Sequence, residues 1–264
     1  MEPQIAMYST MYSFLRKIAF LRKIAFLRKI AFIRKAAGAD YYGVLARIHS
    51  LLKPRTYVEI GVQKGFSIAM AKTTVASVGL DPDPDLLFPL PPGARIFQMT
   101  SDAFFAHHNL AEELGHNTVD LAFIDGMHRF EFALRDFANL ERFCSRTSTI
   151  LVHDTYPTDR VAAAREQTTE GWTGDVWKLI ICLKKYRPDL RICTVDVSPT
   201  GLSIIRGLDP ESTALASRLD ELYEEFIPYD YDRMEAGKAQ QLNRMENNWN
   251  KIEATLTAPA FAAK

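Results

Sequence analysis

The sequence predicts an α/β fold with a doubly wound, mostly parallel sheet of seven strands that ends in an antiparallel hairpin. Short β-rich apolar runs alternate with runs of helical spacing from Tyr57 onward, and this alternation is typical of a parallel sheet covered on both faces. The last two strand-like runs are separated by only four residues, which is too few for a parallel crossover. A composition with 47% hydrophobic and 24% charged residues describes a globular chain and excludes disordered and collagen-like ones.

The elements follow one another along the chain. Apolar residues at helical spacing predict a first helix from Tyr41 to Leu52, and Lys53-Pro54 ends it. The predicted strands are Tyr57–Ile60, Ser77–Leu80, Arg95–Met99, Val119–Ile124, Thr149–Val152, Arg191–Val197 and Leu202–Arg206. The other predicted helices are Ser67–Val75, Phe104–Leu114, Phe130–Phe143, Asp175–Tyr186, Ser212–Phe226 and Asp232–Ile252.

Three parts are predicted along the chain: a basic helical segment (1–39), a sheet domain (40–208) and a C-terminal helical extension (209–264). The total formal charge is zero, but residues 1–39 carry eight Arg or Lys and one acidic residue. The rest of the chain is therefore acidic, which argues against specific binding of nucleic acid.

A six-residue repeat occupies the basic segment. Leu-Arg-Lys-Ile-Ala-Phe occurs three times from Leu15 to Phe32. A six-residue period turns the Arg-Lys pairs in three directions around a helix, so the helix has no single apolar face. Residues 14–35 could lie on an anionic membrane or dock on the acidic body. A repeat without function and an Arg-rich transit peptide are the alternatives.

Cysteine usage and hydropathy indicate a cytoplasmic protein. The three cysteines lie far apart without a Cys-x-x-Cys pair, which argues against a disulfide framework and a cysteine-built zinc site. No uncharged apolar stretch reaches the roughly 18 residues that a spanning helix needs. The sequence is compatible with a homo-oligomer.

A glycine-containing turn follows the first strand, in Glu59-Ile60-Gly61-Val62-Gln63-Lys64-Gly65-Phe66-Ser67. Two glycines four residues apart allow the backbone to approach a ligand, and the N-terminus of a following helix offers free N–H groups. The second strand ends at Asp81, 22 residues after Glu59, where a carboxylate can accept both hydroxyls of a ribose. Together the two features predict a site for a polar nucleoside cofactor.

Acidic residues close the fourth and fifth strands. Asp125 and Asp154 both fall at the carboxyl edge of the sheet, where open α/β folds bind ligands. Two carboxylates with an imidazole can hold a divalent cation, and carboxylate oxygens favour Mg²⁺ or Mn²⁺. Asp125, His153 and Asp154 are therefore a candidate metal site. Two aspartates that only cap loops or orient the cofactor are the alternative.

From Tyr57 to Leu208 the chain resembles class I S-adenosylmethionine-dependent methyltransferases. The matching motifs are E-x-G-x-x-x-G at 59–65, Gly79-Leu80-Asp81, Ser101-Asp102, Ile124-Asp125-Gly126-Met127-His128 and Val152-His153-Asp154-Thr155. The last two are similar to a subgroup that includes small-molecule and sugar O-methyltransferases. The resemblance implies a Rossmann-like sheet and S-adenosyl-L-methionine as cofactor.

The resemblance also implies positions for the cofactor. Gly61 and Gly65 would border its methionine part, Asp81 would hold the ribose and Asp102 would lie beside the adenine. The predicted cofactor-binding residues are Glu59, Gly61, Gly65, Ser67, Asp81, Ser101, Asp102 and Asp125. In catechol-type relatives an Asp after strand four and an Asp-Asn pair after strand five hold an ion; here the pair is His153-Asp154.

The predicted reaction is methyl transfer to a hydroxyl of a small molecule or sugar, with a divalent metal such as Mg²⁺ as an optional aid. His128, His153 and Asp154 are the predicted catalytic residues, because a histidine that titrates near neutrality can remove the acceptor's proton. Two alternatives stay open: an iron-dependent oxygenase that uses the same Asp and His residues, and a non-catalytic cofactor-binding module.

Overall fold

The computed structural model describes residues 40–169 and 171–259. The predicted basic segment 1–39, with its repeat and the proposed membrane contact at 14–35, lies outside the described residues. Within the two described ranges, no helix combines the length and the apolarity that crossing a membrane requires.

One sheet of eight strands forms the centre of the described structure. The strands are β1 (Thr56–Ile60), β2 (Ala76–Leu80), β3 (Ala94–Phe97), β4 (Val119–Ile124), β5 (Cys144–His153), β6 (Arg191–Asp196), β7 (Leu202–Arg206) and β8 (Arg244–Glu246). Their order in space is β3-β2-β1-β4-β5-β7-β6-β8. Strands β1 to β5 pair in parallel, whereas β7 is antiparallel to both β5 and β6. The predicted α/β class with its terminal hairpin is confirmed, with one strand more than expected.

Nine helices accompany the sheet in the described ranges. They are α1 (Tyr41–Leu52), α2 (Ser101–His107), α3 (Leu110–Leu114), α4 (Phe130–Glu141), α5 (Trp177–Tyr186), α6 (Leu219–Phe226), α7 (Tyr231–Glu235), α8 (Lys238–Gln241) and α9 (Trp249–Thr257). The Asp40 carboxylate caps α1 by accepting a 2.8 Å hydrogen bond from the Gly43 amide. α1 ends where Lys53 adopts a left-handed conformation before Pro54, as the sequence predicts.

The central strands are buried on both faces. On β1 and β4, Val58 and Ala122 belong to the apolar core on one face, and Tyr57 and Leu121 belong to the core on the other. All four side chains are fully buried. This explains why the strands read as continuous apolar runs in the sequence.

The strand register brings the carboxyl ends of β1, β2, β4 and β5 together. Ile60 lies opposite Leu80 on β2 and opposite Ile124 on β4, and Ile124 lies opposite Val152 on β5. The residues that follow these four positions therefore emerge side by side at one edge of the sheet. This edge holds the candidate site.

The segment between β1 and β2 differs from the prediction. In place of a helix over 67–75, the chain forms only a 3₁₀ turn at Ile68–Met70. The Thr74 hydroxyl donates a 2.6 Å hydrogen bond to the carbonyl of Ala71, and such side-chain bonds compete with helical ones. Thr73, Thr74 and Val75 are also β-branched, which disfavours a longer helix.

The C-terminal segment is part of the packed structure. Its strand β8 pairs in parallel with β6, although the sequence pattern predicts helix over 232–252. Phe226 in α6 and Ile252 in α9 are fully buried and join the cores on the two faces of the sheet. The segment predicted as a helical extension therefore contributes to both the sheet and its cores.

Candidate functional site

A cavity of ≈ 650 Å³ opens at the carboxyl edge of the parallel strands. Its walls come from the loops after β1 to β5, from α1, from α4 and from the turn between β6 and β7. The predicted site residues that line it are Gly61, Ser67, Asp81, Ser101, Asp102, Asp125, His128, His153 and Asp154. Glu59 and Gly65, also predicted to bind the cofactor, lie outside its lining.

Gly61 lets the turn after β1 approach the end of β4. Its φ of +89° is strained for any residue with a side chain, and a Cβ here would lie 1.9 Å from the carbonyl oxygen of Asp125. The Asp125 amide in turn donates a 2.8 Å hydrogen bond to the carbonyl of Ile60. The wall of the cavity at Gly61 is therefore bare backbone.

Glu59 supports the turn from beneath. Its carboxyl group is fully buried and accepts hydrogen bonds from the hydroxyls of Tyr57 (2.6 Å) and Ser67 (2.5 Å). Burial raises the pKa of Glu59 to about 8, although both hydrogen bonds oppose that rise. Glu59 does not line the cavity itself. It fixes Ser67, which does.

Asp81 is held in place by backbone amides. One carboxylate oxygen accepts a 2.7 Å hydrogen bond from the Gln63 amide, and the other accepts a 2.8 Å bond from the Asp83 amide. Asp81 is 9% exposed and faces the cavity. The first bond ties the end of β2 to the turn after β1, as the predicted cofactor site requires.

Asp102 forms an ion pair across the loop that follows β3. Its two carboxylate oxygens accept hydrogen bonds from Nε (2.8 Å) and Nη2 (2.6 Å) of Arg135 in α4. This is the bidentate geometry that makes Arg–carboxylate pairs strong and directional. Arg135 also donates a 3.2 Å hydrogen bond to the hydroxyl of Tyr223. Asp102 lines the cavity, but its carboxylate is already engaged.

Two carboxylates and two imidazoles meet where β4 and β5 end, and we call Asp125, His128, His153 and Asp154 the Asp–His cluster. His153 Nδ1 lies 3.2 Å from Asp125 Oδ1 and 3.4 Å from Asp154 Oδ1. His128 Nε2 lies 3.2 Å from Asp154 Oδ2 and 3.5 Å from Asp125 Oδ1. Asp154 has a left-handed backbone with φ +60° and accepts a hydrogen bond from the Thr200 hydroxyl.

The charges in the Asp–His cluster stabilise one another. Burial alone would lower the pKa of His153, but the nearby carboxylates of Asp125 and Asp154 outweigh burial and raise it to about 10. Burial also opposes the rise at His128, whose pKa is raised by its hydrogen bond with Asp125 and by the charge of Asp154. Burial would raise the pKa of Asp125, yet the two histidines hold it well below its ordinary value. His153 therefore tends to keep a proton at neutral pH.

Three members of the cluster also fit a divalent cation. Asp125, His128 and Asp154 each offer one ligand atom, and these atoms all lie within 4.8 Å of one another. Carboxylate oxygens favour Mg²⁺ or Mn²⁺, whereas an imidazole ligand shifts the preference toward iron or zinc. The predicted metal set has His153 in the place of His128. In the structure His153 is only 6% exposed, and its Nδ1 faces both carboxylates.

Aromatic rings flank the cluster on two sides. The Tyr41 ring stacks on His153 with centroids 3.9 Å apart, and the Trp172 ring stacks on His128 at 5.2 Å. Trp172 also accepts a 3.2 Å hydrogen bond from His128 Nδ1 at its carbonyl. Trp177, by contrast, is fully buried in the core and does not line the cavity.

The loop that carries Trp172 is fastened to the start of α4. The Asp175 carboxylate accepts hydrogen bonds from the Phe130 amide (2.8 Å), from Arg165 (2.7 Å) and from Lys178 (3.0 Å). Gly174 has a φ of +60°, and a Cβ there would lie 1.6 Å from the carbonyl oxygen of His128. The loop and His128 therefore hold each other in position.

Several residues of the cavity wall are absent from the predicted set. Tyr41 and Tyr42 reach the cavity from α1, Thr200 from the β6–β7 turn, and Asp136 from α4. No motif marks these positions, and their sequence neighbours read as ordinary helix or turn. The signal that could have found Asp136 is an acidic residue on the apolar face of α4, between Ala133 and Phe137.

Comparisons with known proteins agree with this fold. Residues 58–155 match a family model described as "Methyltransferase domain". No curated protein sequence matches the chain. The O-methyltransferase from Bacillus cereus in complex with SAH has a similar fold, at 12% sequence identity, with 69% of this chain and 90% of that chain covered and a TM-score of 0.50.

Two further solved structures are similar to this chain. SAH-bound methyltransferase PaMTH1 of Podospora anserina is 14% identical, with 63% of this chain and 77% of that chain covered and a TM-score of 0.49. O-methyltransferase TomG of Streptomyces achromogenes, in complex with SAM, is 12% identical, with coverages of 62% and 77% and a TM-score of 0.47. No comparison supports an iron-dependent oxygenase. The family match over 58–155 and the strand order agree with the fold of class I S-adenosylmethionine-dependent methyltransferases.

Proposed function

We propose that the protein transfers the methyl group of S-adenosyl-L-methionine to a hydroxyl of a small acceptor, such as a sugar or a secondary metabolite. The proposal rests on one observation: residues suited to the cofactor and residues suited to the acceptor line the same cavity. The turn at Gly61 and the Asp81 carboxylate form one part of its wall, and the Asp–His cluster forms another.

The part of the wall near β1 and β2 suits the cofactor. The two amide hydrogen bonds fix the Asp81 carboxylate in the cavity wall, where Asp81 would accept the hydroxyls of the ribose. The bare backbone at Gly61 leaves room for the methionine part. When bound, the cofactor supplies a methyl group already activated by its sulfonium.

The part of the wall near β4 and β5 suits the acceptor. Tyr41 and Trp172 offer flat apolar surfaces, and the Asp–His cluster offers charged acceptors and donors of hydrogen bonds. The acceptor's hydroxyl proton would pass to the Asp154–His128 pair, while His153 holds Asp125 in place. Methyl transfer needs no covalent bond to the protein. The protein's remaining contribution would be to align the acceptor with the methyl group and to exclude water from the cavity.

A divalent cation fits the same place. Asp125, His128 and Asp154 would hold it, and a cation there would lower the pKa of a coordinated acceptor hydroxyl. His128 binds a cation only as the neutral imidazole, and its raised pKa favours the protonated form, so cation binding should release protons.

Calorimetry with S-adenosylmethionine is the first test, and binding near one cofactor per chain is expected. The second test uses S-adenosylmethionine with a labelled methyl group and a panel of hydroxylated acceptors, with and without Mg²⁺. Label should move to an acceptor with the native chain and should fall at least about tenfold with Asp154→Asn. Absence of cofactor binding would reject the proposal. Transfer that Asp154→Asn leaves unchanged would reject the assignment of the acceptor site.

A further inference from the structure

Thr200 is a buried residue of the β6–β7 turn, and the proposed reaction gives it no part. It lines the cavity and is 4% exposed. Its hydroxyl donates a hydrogen bond to Asp154 Oδ1, and the same oxygen lies 3.5 Å from His153 Nε2. The turn of the antiparallel hairpin therefore contacts the Asp–His cluster through this one side chain.

The Thr200 hydroxyl determines which oxygen of Asp154 faces the other groups of the cluster. A threonine hydroxyl has one hydrogen to donate, and Asp154 Oδ1 receives it. The same Oδ1 lies 3.4 Å from His153 Nδ1. Oδ2, by contrast, lies 3.2 Å from His128 Nε2. With Oδ1 occupied, Oδ2 is the oxygen of Asp154 that is left to work with His128 on the acceptor's proton or on a cation.

The backbone around Thr200 is held on two sides. Its carbonyl accepts a 2.8 Å hydrogen bond from the amide of Tyr156, two residues after Asp154. The carbonyl of Ser198 accepts a 3.0 Å hydrogen bond from the amide of Tyr41 at the start of α1. Because the turn is tied both to the segment after β5 and to α1, the hydroxyl of Thr200 is a donor in a fixed position.

Asp154 has a reason to need such a donor. One of its carboxylate oxygens lies within 4.8 Å of one oxygen of Asp125. The two carboxylates repel each other, and a turn of the Asp154 side chain away from Asp125 would relieve that repulsion. A hydrogen bond to a charged acceptor is roughly twice as strong as one between neutral groups. The bond from Thr200 therefore opposes the turn.

We propose that Thr200 is a positioning residue for methyl transfer: its hydroxyl holds the Asp154 carboxylate so that Oδ2 faces His128 and the acceptor. Thr200 acts through Asp154 and takes no part in the chemistry itself. This inference rests on the proposed function, because it assigns Thr200 a role in the reaction proposed for the Asp–His cluster.

The test uses three variants of the full chain. Thr200→Val removes the hydroxyl and keeps the shape of the side chain, whereas Thr200→Ser keeps the hydroxyl. Thr56→Val is the matched control, because Thr56 is also buried and its hydroxyl donates a 2.7 Å hydrogen bond to the carbonyl of Thr118. Thr56 begins β1, at the edge of the sheet opposite the cavity.

Three quantities are measured on each protein: the Kd for S-adenosylhomocysteine by calorimetry, the transfer of a labelled methyl group, and Mn²⁺ binding by electron paramagnetic resonance. In Thr200→Val we expect kcat and Mn²⁺ affinity each to fall about tenfold to a hundredfold, as is typical when the partner of such a carboxylate is lost. The Kd for S-adenosylhomocysteine and the KM for the acceptor should stay near their native values. Thr200→Ser and Thr56→Val should resemble the native chain in all of these quantities.

The outcomes separate the two proposals. If the native chain binds no S-adenosylhomocysteine or transfers no label, the proposed function itself fails. If Thr200→Val keeps native turnover or native Mn²⁺ affinity, only the role of Thr200 is overturned. Equal losses in Thr200→Val and Thr200→Ser would show that the hydroxyl is not the cause, and a parallel loss of S-adenosylhomocysteine binding in Thr200→Val would show a general structural role; either result overturns the inference. Should Thr200→Val fail to fold, Thr200→Ala provides the same decision.

Discussion

The ring of Tyr41 stacks on the imidazole of His153, with centroids 3.9 Å apart and planes inclined by 29°. Tyr41 begins α1, ahead of the first strand, and His153 is the last residue of β5. The stack covers the Asp–His cluster on one side, so the helix that precedes the sheet completes the cavity wall at the proposed acceptor site.

Tyr41→Ala should therefore weaken acceptor binding. Loss of the stacked ring frees His153 to move, and aromatic pairs of this kind contribute about 0.5–1.5 kcal/mol. We expect the KM for the acceptor to rise about twofold to tenfold in steady-state assays. Tyr41→Phe keeps the ring and is the matched control, with a KM close to that of the native chain. A large loss in Tyr41→Phe would show that the hydroxyl matters and the stack does not.

Asp81→Ala should weaken cofactor binding. The variant loses a carboxylate proposed to accept the ribose hydroxyls and also releases the Gln63 amide in the turn. Hydrogen bonds to charged groups contribute about 1.5–3 kcal/mol, so the Kd for S-adenosylhomocysteine should rise about tenfold to a hundredfold by calorimetry. Asp83→Ala, two residues away and exposed, should leave the Kd near the native value. Equal effects of both changes would contradict the role of Asp81.

Stability should depend on pH through Glu59. Its pKa rises from an ordinary value of 4.5 to about 8 on folding, so the folded chain holds a proton that the unfolded chain releases. The free energy of unfolding should therefore fall as pH rises from about 5 to 8. In Glu59→Gln this part of the fall disappears, a difference of at least about 1 kcal/mol in urea unfolding. Identical pH profiles of the two proteins would contradict the shift.

Gly174→Ala should disturb His128. A methyl group at Gly174 would lie 1.6 Å from the His128 carbonyl oxygen, so the loop or the histidine must move. Gly115→Ala is the matched control, because Gly115 has a similar φ of +64° but no atom of the described residues lies within 4 Å of the place its Cβ would take. The control should cost about 1–2 kcal/mol of backbone strain. Gly174→Ala should cost clearly more and lower turnover, as urea unfolding and the methyl-transfer assay would show. Equal losses would mean that the contact is easily relieved.

A cation should bind the Asp–His cluster. Mn²⁺ provides a spectroscopic probe, and electron paramagnetic resonance should show its signal decreasing as the native chain is added. Asp154→Asn removes one charged ligand and should weaken Mn²⁺ binding at least about tenfold. Asp220→Asn changes an exposed carboxylate outside the cavity and should leave binding unchanged. Equal binding by both variants would place the cation elsewhere.

Much of the fold could be predicted because its strands are short, apolar and buried. The pair Arg191–Asp196 and Leu202–Arg206 lies within one residue of the predicted hairpin. The predicted helix 104–114 is instead two helices, because the Asn109 side chain accepts a hydrogen bond from the Ala111 amide and starts α3 anew. Strand β8 has only three residues, too few for a periodic signal to stand out from its helical surroundings.

The site could be predicted only where residues follow a strand directly. Asp81, Asp125 and Asp154 come immediately after β2, β4 and β5, so strand order alone brings them to one edge. Tyr41 and Asp136 belong to helices, and whether a helical residue reaches the cavity depends on how its helix packs. The sequence pattern places Asp136 on the apolar face of its helix, but tertiary packing decides which groups that face meets, and the spacing of a single sequence does not show them.

The backbone of Asp154 restricts what this position can become. Among residues with side chains, Asp and Asn best tolerate the left-handed conformation, and Asp154 adopts it at φ +60°. Valine, threonine or isoleucine would distort the chain before any chemistry was lost. Substitutions at residue 154 should therefore be limited to Asn or Gly. A relative with either residue would keep the backbone conformation of this turn but would lose the carboxylate.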